Sequence, residues 1–126
     1  MNEENANYLA TVYPKIFSGK YGGFAVGDGW FNIINMMCRN IQNHLNWKPE
    51  VEQVVAQQVK EKFGTLRFYY SGGDDVIDGM VQIAESMTSV TCEVCGNVGR
   101  RRGSGWIRTL CDEHSKESDY AVSRFV

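Results

Sequence analysis

Three thiols and one imidazole stand at metal-ligand spacing in the last third of the chain. Cys92 and Cys95 are separated by two residues, and Cys111 and His114 repeat that interval further on. Three soft sulfur ligands and one nitrogen suit tetrahedral Zn²⁺. Gly96, directly after the first pair, fits a tight knuckle in which backbone N–H groups point at the thiolates. The segment starting at Cys111 reads as a helix N-terminus whose dipole favours their negative charge. Knuckle, short hairpin and a helix carrying the second pair make a treble-clef-like zinc module. All four positions are filled by protein, so the expectation is one structural Zn²⁺ per chain rather than a catalytic ion with an open position for water.

Between the ligand pairs runs Arg100-Arg101-Arg102-Gly103-Ser104-Gly105-Trp106-Ile107-Arg108, with no acid from Gly96 to Leu110. On a metal-pinned hairpin these guanidinium groups can fork onto phosphate oxygens, while Trp106 either stacks on a base or packs against the knot. A second cluster comprises Asp28 and Trp30 at a glycine-rich helix start, Lys62 and Arg67 flanking a hairpin turn, and Tyr70. Such groups line small-ligand pockets, although Asp28 also reads simply as a helix cap, and Lys62 and Arg67 as charges that blunt a strand edge. Catalytic patterns are missing. A nucleobase deaminase needs His-x-Glu ahead of Pro-Cys-x-x-Cys; the one histidine besides His114 is His44, which reads as a solvent-facing helix residue; and Cys38 has no evident base. The reading is a non-enzyme.

The elements that must position these residues follow from periodicity. Glu3 to Tyr13 forms a short helix with Tyr8, Leu9 and Val12 on one side, ended by Pro14. From about Trp30 to Trp47, with Asp28 as its N-cap, the residues Phe31, Ile34, Cys38, Ile41 and Leu45 recur at helical steps, and Lys48-Pro49 stops them. Cys38 then lies on the apolar side as a small buried residue. Between Glu52 and Tyr70 the period changes to two: Val55, Gln57, Val59, Glu61 and Phe63, a turn at Gly64-Thr65, then Leu66, Phe68 and Tyr70. Asp74 or Asp75 caps a third helix whose stripe is Val76, Met80, Ile83, Met87 and Val90. The fold class is α+β, helices packed on a β-hairpin in residues 1–90, followed by the zinc module in 91–126, the two forming one compact unit.

At 126 residues and 43% hydrophobic the chain supports one modest core. A net charge of −2 argues against a generally polyanion-seeking protein and confines any such activity to the arginine segment. No apolar run follows a basic start and none is long enough to cross a bilayer, which reads as an intracellular, cytoplasmic protein without membrane contact. Two-residue spacings with a partner histidine favour metal over disulfides.

Gly27-Asp28-Gly29-Trp30, the run Gln58 to Tyr69 containing Lys60-Glu61-Lys62-Phe63-Gly64-Thr65-Leu66-Arg67, the Cys92-x-x-Cys95-Gly96 knuckle and Trp106-Ile107-Arg108-Thr109-Leu110-Cys111 together resemble a group of short bacteriophage and prophage proteins. The resemblance spans about residues 24 to 115 and implies a phage-type accessory protein acting in the host cytoplasm, with no site roles attached. The leading expectation is a zinc-stabilised binder whose Arg-rich hairpin contacts nucleic acid or another phosphate-bearing ligand. Two alternatives stand beside it. One is a protein-interaction module that inhibits a host protein, such as a defence factor, through Trp30, Tyr70, Trp106 and Arg108. The other is sequestration of a small nucleotide signal around Trp30, Lys62 and Arg67.

Overall fold

The computed structural model describes residues 1–116; residues 117–126, the end of the expected second unit, lie outside the described residues. The chain runs α1 (Glu3–Val12), β1 (Phe24–Ala25), a 3₁₀ turn (Asp28–Trp30), α2 (Phe31–Trp47), β2 (Val55–Lys62), β3 (Thr65–Ser71), α3 (Asp75–Thr88), β4 (Arg100–Arg102), β5 (Arg108–Leu110) and α4 (Asp112–Ser115). It is a mixed α+β fold with two small sheets and a Cys/His cluster toward its C-terminal side. No helix among the described residues is long and apolar enough to cross a membrane.

The first sheet has the order β1-β2-β3, with β2 and β3 antiparallel and β1 parallel to β2. Pairing Val59↔Phe68 and Glu61↔Leu66 sends one set of side chains inward, where Val59, Leu66 and Phe68 are buried with Ile34, Ile41 and Leu45 of α2 and Ile77, Val81 and Ala84 of α3. Two details of the expected hairpin change. The turn is Phe63-Gly64, both at positive φ (55° and 82°), one residue earlier than expected. A bulge between Ala56 and Gln58 also shifts the alternation, so Ala56 and Val59 face the core and Phe63 is exposed at the turn. The two-residue β1 is too short to leave a period in the sequence.

In α2 Ile34, Cys38, Ile41 and Leu45 of the expected stripe are buried, Phe31 is half-buried, and burial pushes the Cys38 thiol up to about 12. The cap is different. Trp30 precedes the helix without a side-chain cap, and the Asp28 carboxylate instead accepts from Asn2 N (2.8 Å) and Asn5 Nδ2 (3.1 Å), holding the start of α1. In α1 only Leu9 is buried, with Tyr8 and Val12 exposed.

Helix α3 is turned relative to expectation. Ile77, Val81, Ala84 and Thr88 face inward, while Val76, Ile83, Met87 and Val90 are exposed. The sheet edge explains the choice. β3 is an edge strand whose free N–H groups need acceptors, and Leu66 N donates to Thr88 Oγ1 (2.9 Å) and Phe68 N to Glu85 Oε2 (2.9 Å). The observed rotation of the helix offers them.

Asp74 caps α3, accepting from Ile77 N (3.0 Å), and its other oxygen meets His44 Nε2 at 2.8 Å. His44 is therefore a half-buried link between α2 and α3 rather than a solvent-facing residue. The hydrogen bond from His44, and then the Ile77 amide, hold the Asp74 carboxyl below its usual range. A carboxyl depressed in the folded state contributes stability that is present above its unfolded value, near pH 4, and lost as pH falls through the lower folded value. Acid unfolding followed by circular dichroism should show a shallower loss below about pH 4 for Asp74→Ala than for the parent chain; superimposable acid limbs would refute this.

Candidate metal centre and cationic face

The four expected ligands converge. Their ligand atoms lie within 4.8 Å of one another, with Cys92 Sγ to His114 Nδ1 at 3.7 Å, Cys95 Sγ to Cys111 Sγ at 3.7 Å and Cys111 Sγ to His114 Nδ1 at 3.3 Å. A tetrahedron around an ion bound at 2.0–2.3 Å has edges of roughly 3.4–3.8 Å, so the set fits one metal ion. The knuckle is made by Gly96 N donating to Cys92 O (2.9 Å) and Cys92 N to Asn97 O (2.7 Å). Gly96 sits at φ +83°, open to glycine and strained for other residues. Cys111 caps α4, its sulfur accepting from His114 N (3.4 Å), so the short helix presents His114 to the thiols. Burial raises the Cys92 thiol, but backbone N–H groups of Cys111, Cys95 and Val94 outweigh it and leave the group below its ordinary value. Cys95 moves up, from burial and then from the neighbouring Cys111 and Cys92 sulfurs. A cation in their midst relieves that crowding.

The two glycine motifs turn out to be the seat of this knot. Gly29 N donates to Glu93 O (2.7 Å), Gly27 N to Glu93 Oε2 (3.0 Å), and the Trp30 indole N–H to Thr91 O (2.8 Å). On the other side, Thr109 Oγ1 donates to Gly64 O (2.6 Å) and Arg101 Nε to Phe63 O (3.1 Å), resting the β4–β5 hairpin on the β2–β3 turn. Glu93 is buried, which raises its carboxyl, opposed by the Gly27 amide and Arg108. Nothing in its position between two cysteines marks it as the hub of this docking.

Of the expected arginine patch, Arg102 is withdrawn. At 6% exposure it donates from Nε to Leu110 O (3.0 Å), from one terminal nitrogen to Ser115 Oγ (2.9 Å) and from the other to Asp112 Oδ1 (2.6 Å), tying the hairpin to α4. Arg100 lies 3.7 Å from Asp112 and Arg108 3.6 Å from Glu93, with the Arg108 guanidinium over the Trp106 ring. Trp106 is 70% exposed, so it does not pack as core. The second expected cluster is dispersed: Trp30 is fully buried, Asp28 serves α1, and the Tyr70 hydroxyl donates to Asp78. Lys62 and Arg67 remain, on the outer face of the sheet.

No protein-family model matches the chain, and no curated protein or solved structure matches it. The surface chemistry is therefore read from the residues themselves. Register pairs Gln58↔Tyr69, Lys60↔Arg67 and Lys62↔Thr65 alternate with the buried pairs and form the outer face. These six side chains include three cations and no carboxylate. Lys60 Nζ lies 5.9 Å from the Tyr69 ring centroid and Lys62 Nζ 5.6 Å from that of Phe63, both rings being exposed. Arg67 Nε is buried with no hydrogen-bond partner among the described residues, beside a hollow of about 410 Å³ shared with Gln82, Glu85, Ser86 and Ser89. Through Phe63 the face continues to Arg101. Period two applied to Lys60 and Tyr69 was the sequence signal for it.

Proposed function

We propose that this chain is a non-enzymatic, zinc-stapled binding module that holds single-stranded nucleic acid across the outer face of its sheet. The observation that carries the reading is the cation–aromatic surface of Lys60, Lys62, Arg67, Tyr69 and Phe63, continuous with Arg101 and free of carboxylates among its paired positions. A flat sheet face with exposed rings suits stacked bases, and flanking cations suit the phosphates between them. Cys92, Cys95, Cys111 and His114 hold one Zn²⁺ in a treble-clef-like knot: three sulfurs and a nitrogen match zinc, and with every position filled the ion is structural. The knot sets the β4–β5 hairpin, and Arg101 with it, at the edge of the face. Cys38, buried with its thiol pushed up to about 12, offers no nucleophile. Thiols kept for a metal suit a reducing interior, in keeping with an accessory factor of the phage and prophage kind that the motifs resemble.

The test is binding of labelled single-stranded RNA and DNA by the zinc-loaded chain over a salt series. Each phosphate contact on a single strand contributes about 0.7 to the slope of log K against log salt. Lys60→Ala with Arg67→Ala should therefore weaken binding and flatten the slope by roughly 1.4, and Tyr69→Ala should weaken it with little change of slope. Absence of binding at low salt, or an unchanged slope in the double variant, would remove the reading.

A further inference from the structure

We infer that the outward face of α2 and α3 is the two-fold interface of a homodimer. Besides the rows turned to the sheet, α3 carries a second apolar row and α2 a shorter one that ends on a polar residue, Asn40. On α3, Val76, Met80, Ile83 and Met87 follow a 4-3-4 spacing, and on α2 Ile33, Met36 and Asn40 follow 3-4. That is the spacing of a helix packed against another helix at a shallow angle. None of the described residues covers it: Ile83 is 65% exposed, and Met36 and Met87 are each 49% exposed. Between the helices lies a groove of about 360 Å³, floored by the short Ala84 and walled by Ile33, Met36, Met80, Ile83 and Met87.

Two properties assign the occupant as a second copy. The first is charge. No Lys, Arg, Asp or Glu lines the groove, whose polar members are Asn32 and Asn40. An isologous contact sets a patch against itself, so a charged patch would repel its own image, and this one does not. The second is shape. The face carries a hollow at Ala84 and a ridge at Ile83 side by side, and a two-fold axis places each copy's ridge against the other's hollow. Area is sufficient. Helices of 17 and 14 residues, about 25 and 21 Å long and each roughly 10 Å across, present on the order of 500 Å² in projection. Two such faces together reach the roughly 1,000 Å² that separates specific interfaces from casual ones. The result is a four-helix arrangement, and it shares no residue with the outer sheet face.

Sedimentation equilibrium of the zinc-loaded full chain between about 1 and 100 μM tests it, a window in which a micromolar or tighter dimer is populated. The expected result is twice the single-chain mass for the parent and the single-chain mass for Ile83→Arg and, separately, Met36→Arg at the same concentration. Both positions are exposed, so the variants should keep the parent's circular dichroism. A single-copy parent throughout overturns the inference and leaves the face to a helix of another protein. A dimer that survives both substitutions overturns it as well, by placing the interface elsewhere.

Discussion

Removing the metal with a chelator should unfold the segment from Thr91 to Lys116 while the helix–sheet core stands. The segment's own buried cluster consists of Cys92, Leu110 and Cys111, two of which belong to the Cys/His set that fits a metal ion. The main core, from Leu9 to Ala84, is built without it. Structural zinc contributes about 10–16 kcal/mol in small zinc modules at neutral pH, more than so small a knot recovers from burying one leucine. Two readouts apply. Amide cross-peaks of residues 91–116 should collapse toward random-coil shifts while those of α2 and β2–β3 persist. A thiol reagent should then titrate three cysteines of the four in the chain, Cys38 staying protected by burial that pushes its thiol up to about 12. Retained dispersion in the knot would show that the metal is dispensable, and simultaneous reaction of all four thiols would show that the core had opened too.

The largest single-residue effect is expected at Gly29. A Cβ there would stand 2.1 Å from Cys92 O and 2.6 Å from the Glu93 carbonyl carbon and oxygen. The clash is with backbone, so no side chain can swing aside. Gly29→Ala must push the knuckle away, breaking the amide bond to Glu93 O and orphaning the Trp30 indole N–H, which is buried. Lost hydrogen bonds and a buried unpaired donor together cost about 3 kcal/mol or more, or on the order of 10 °C in Tm for a domain this size. Gly79→Ala supplies the opposite sign. A Cβ at this position within α3 meets nothing within 4 Å, so the substitution should stabilise by about 0.5–1 kcal/mol through helix propensity alone. Thermal melts of the two variants that coincide with the parent would defeat the account of Gly29.

What the sequence discloses and what it conceals divide by range. The Cys/His cluster is legible because its residue types and two-residue spacing are local, and the α2 stripe and the Asp74 cap are legible for the same reason. The rotation of α3 is not, because Ile77-Val81-Ala84 and Val76-Met80-Ile83 are both acceptable helical stripes and the decision belongs to amides of β3 that need Thr88 and Glu85. Arg102 resembles its neighbours in the sequence, yet its carbonyl and hydroxyl partners come from Leu110 and Ser115, across a strand pair and on α4. Asp28 and Trp30 are polar and aromatic at a glycine-rich turn, which suggests a ligand. Their partner is another part of the same chain, reached mainly through backbone atoms that leave no mark in the sequence.

The covering of β3 by α3 also limits how this protein can associate. With the Leu66 and Phe68 amides already donating to Thr88 and Glu85, an incoming strand finds both of these donors taken, and at the opposite edge β1 pairs through just two residues. Recognition by strand addition, and the stacking of copies into an extended cross-β ribbon that follows from an open edge, are both opposed along the Leu66–Phe68 stretch of β3. What is left to this sheet for contact is its flat face.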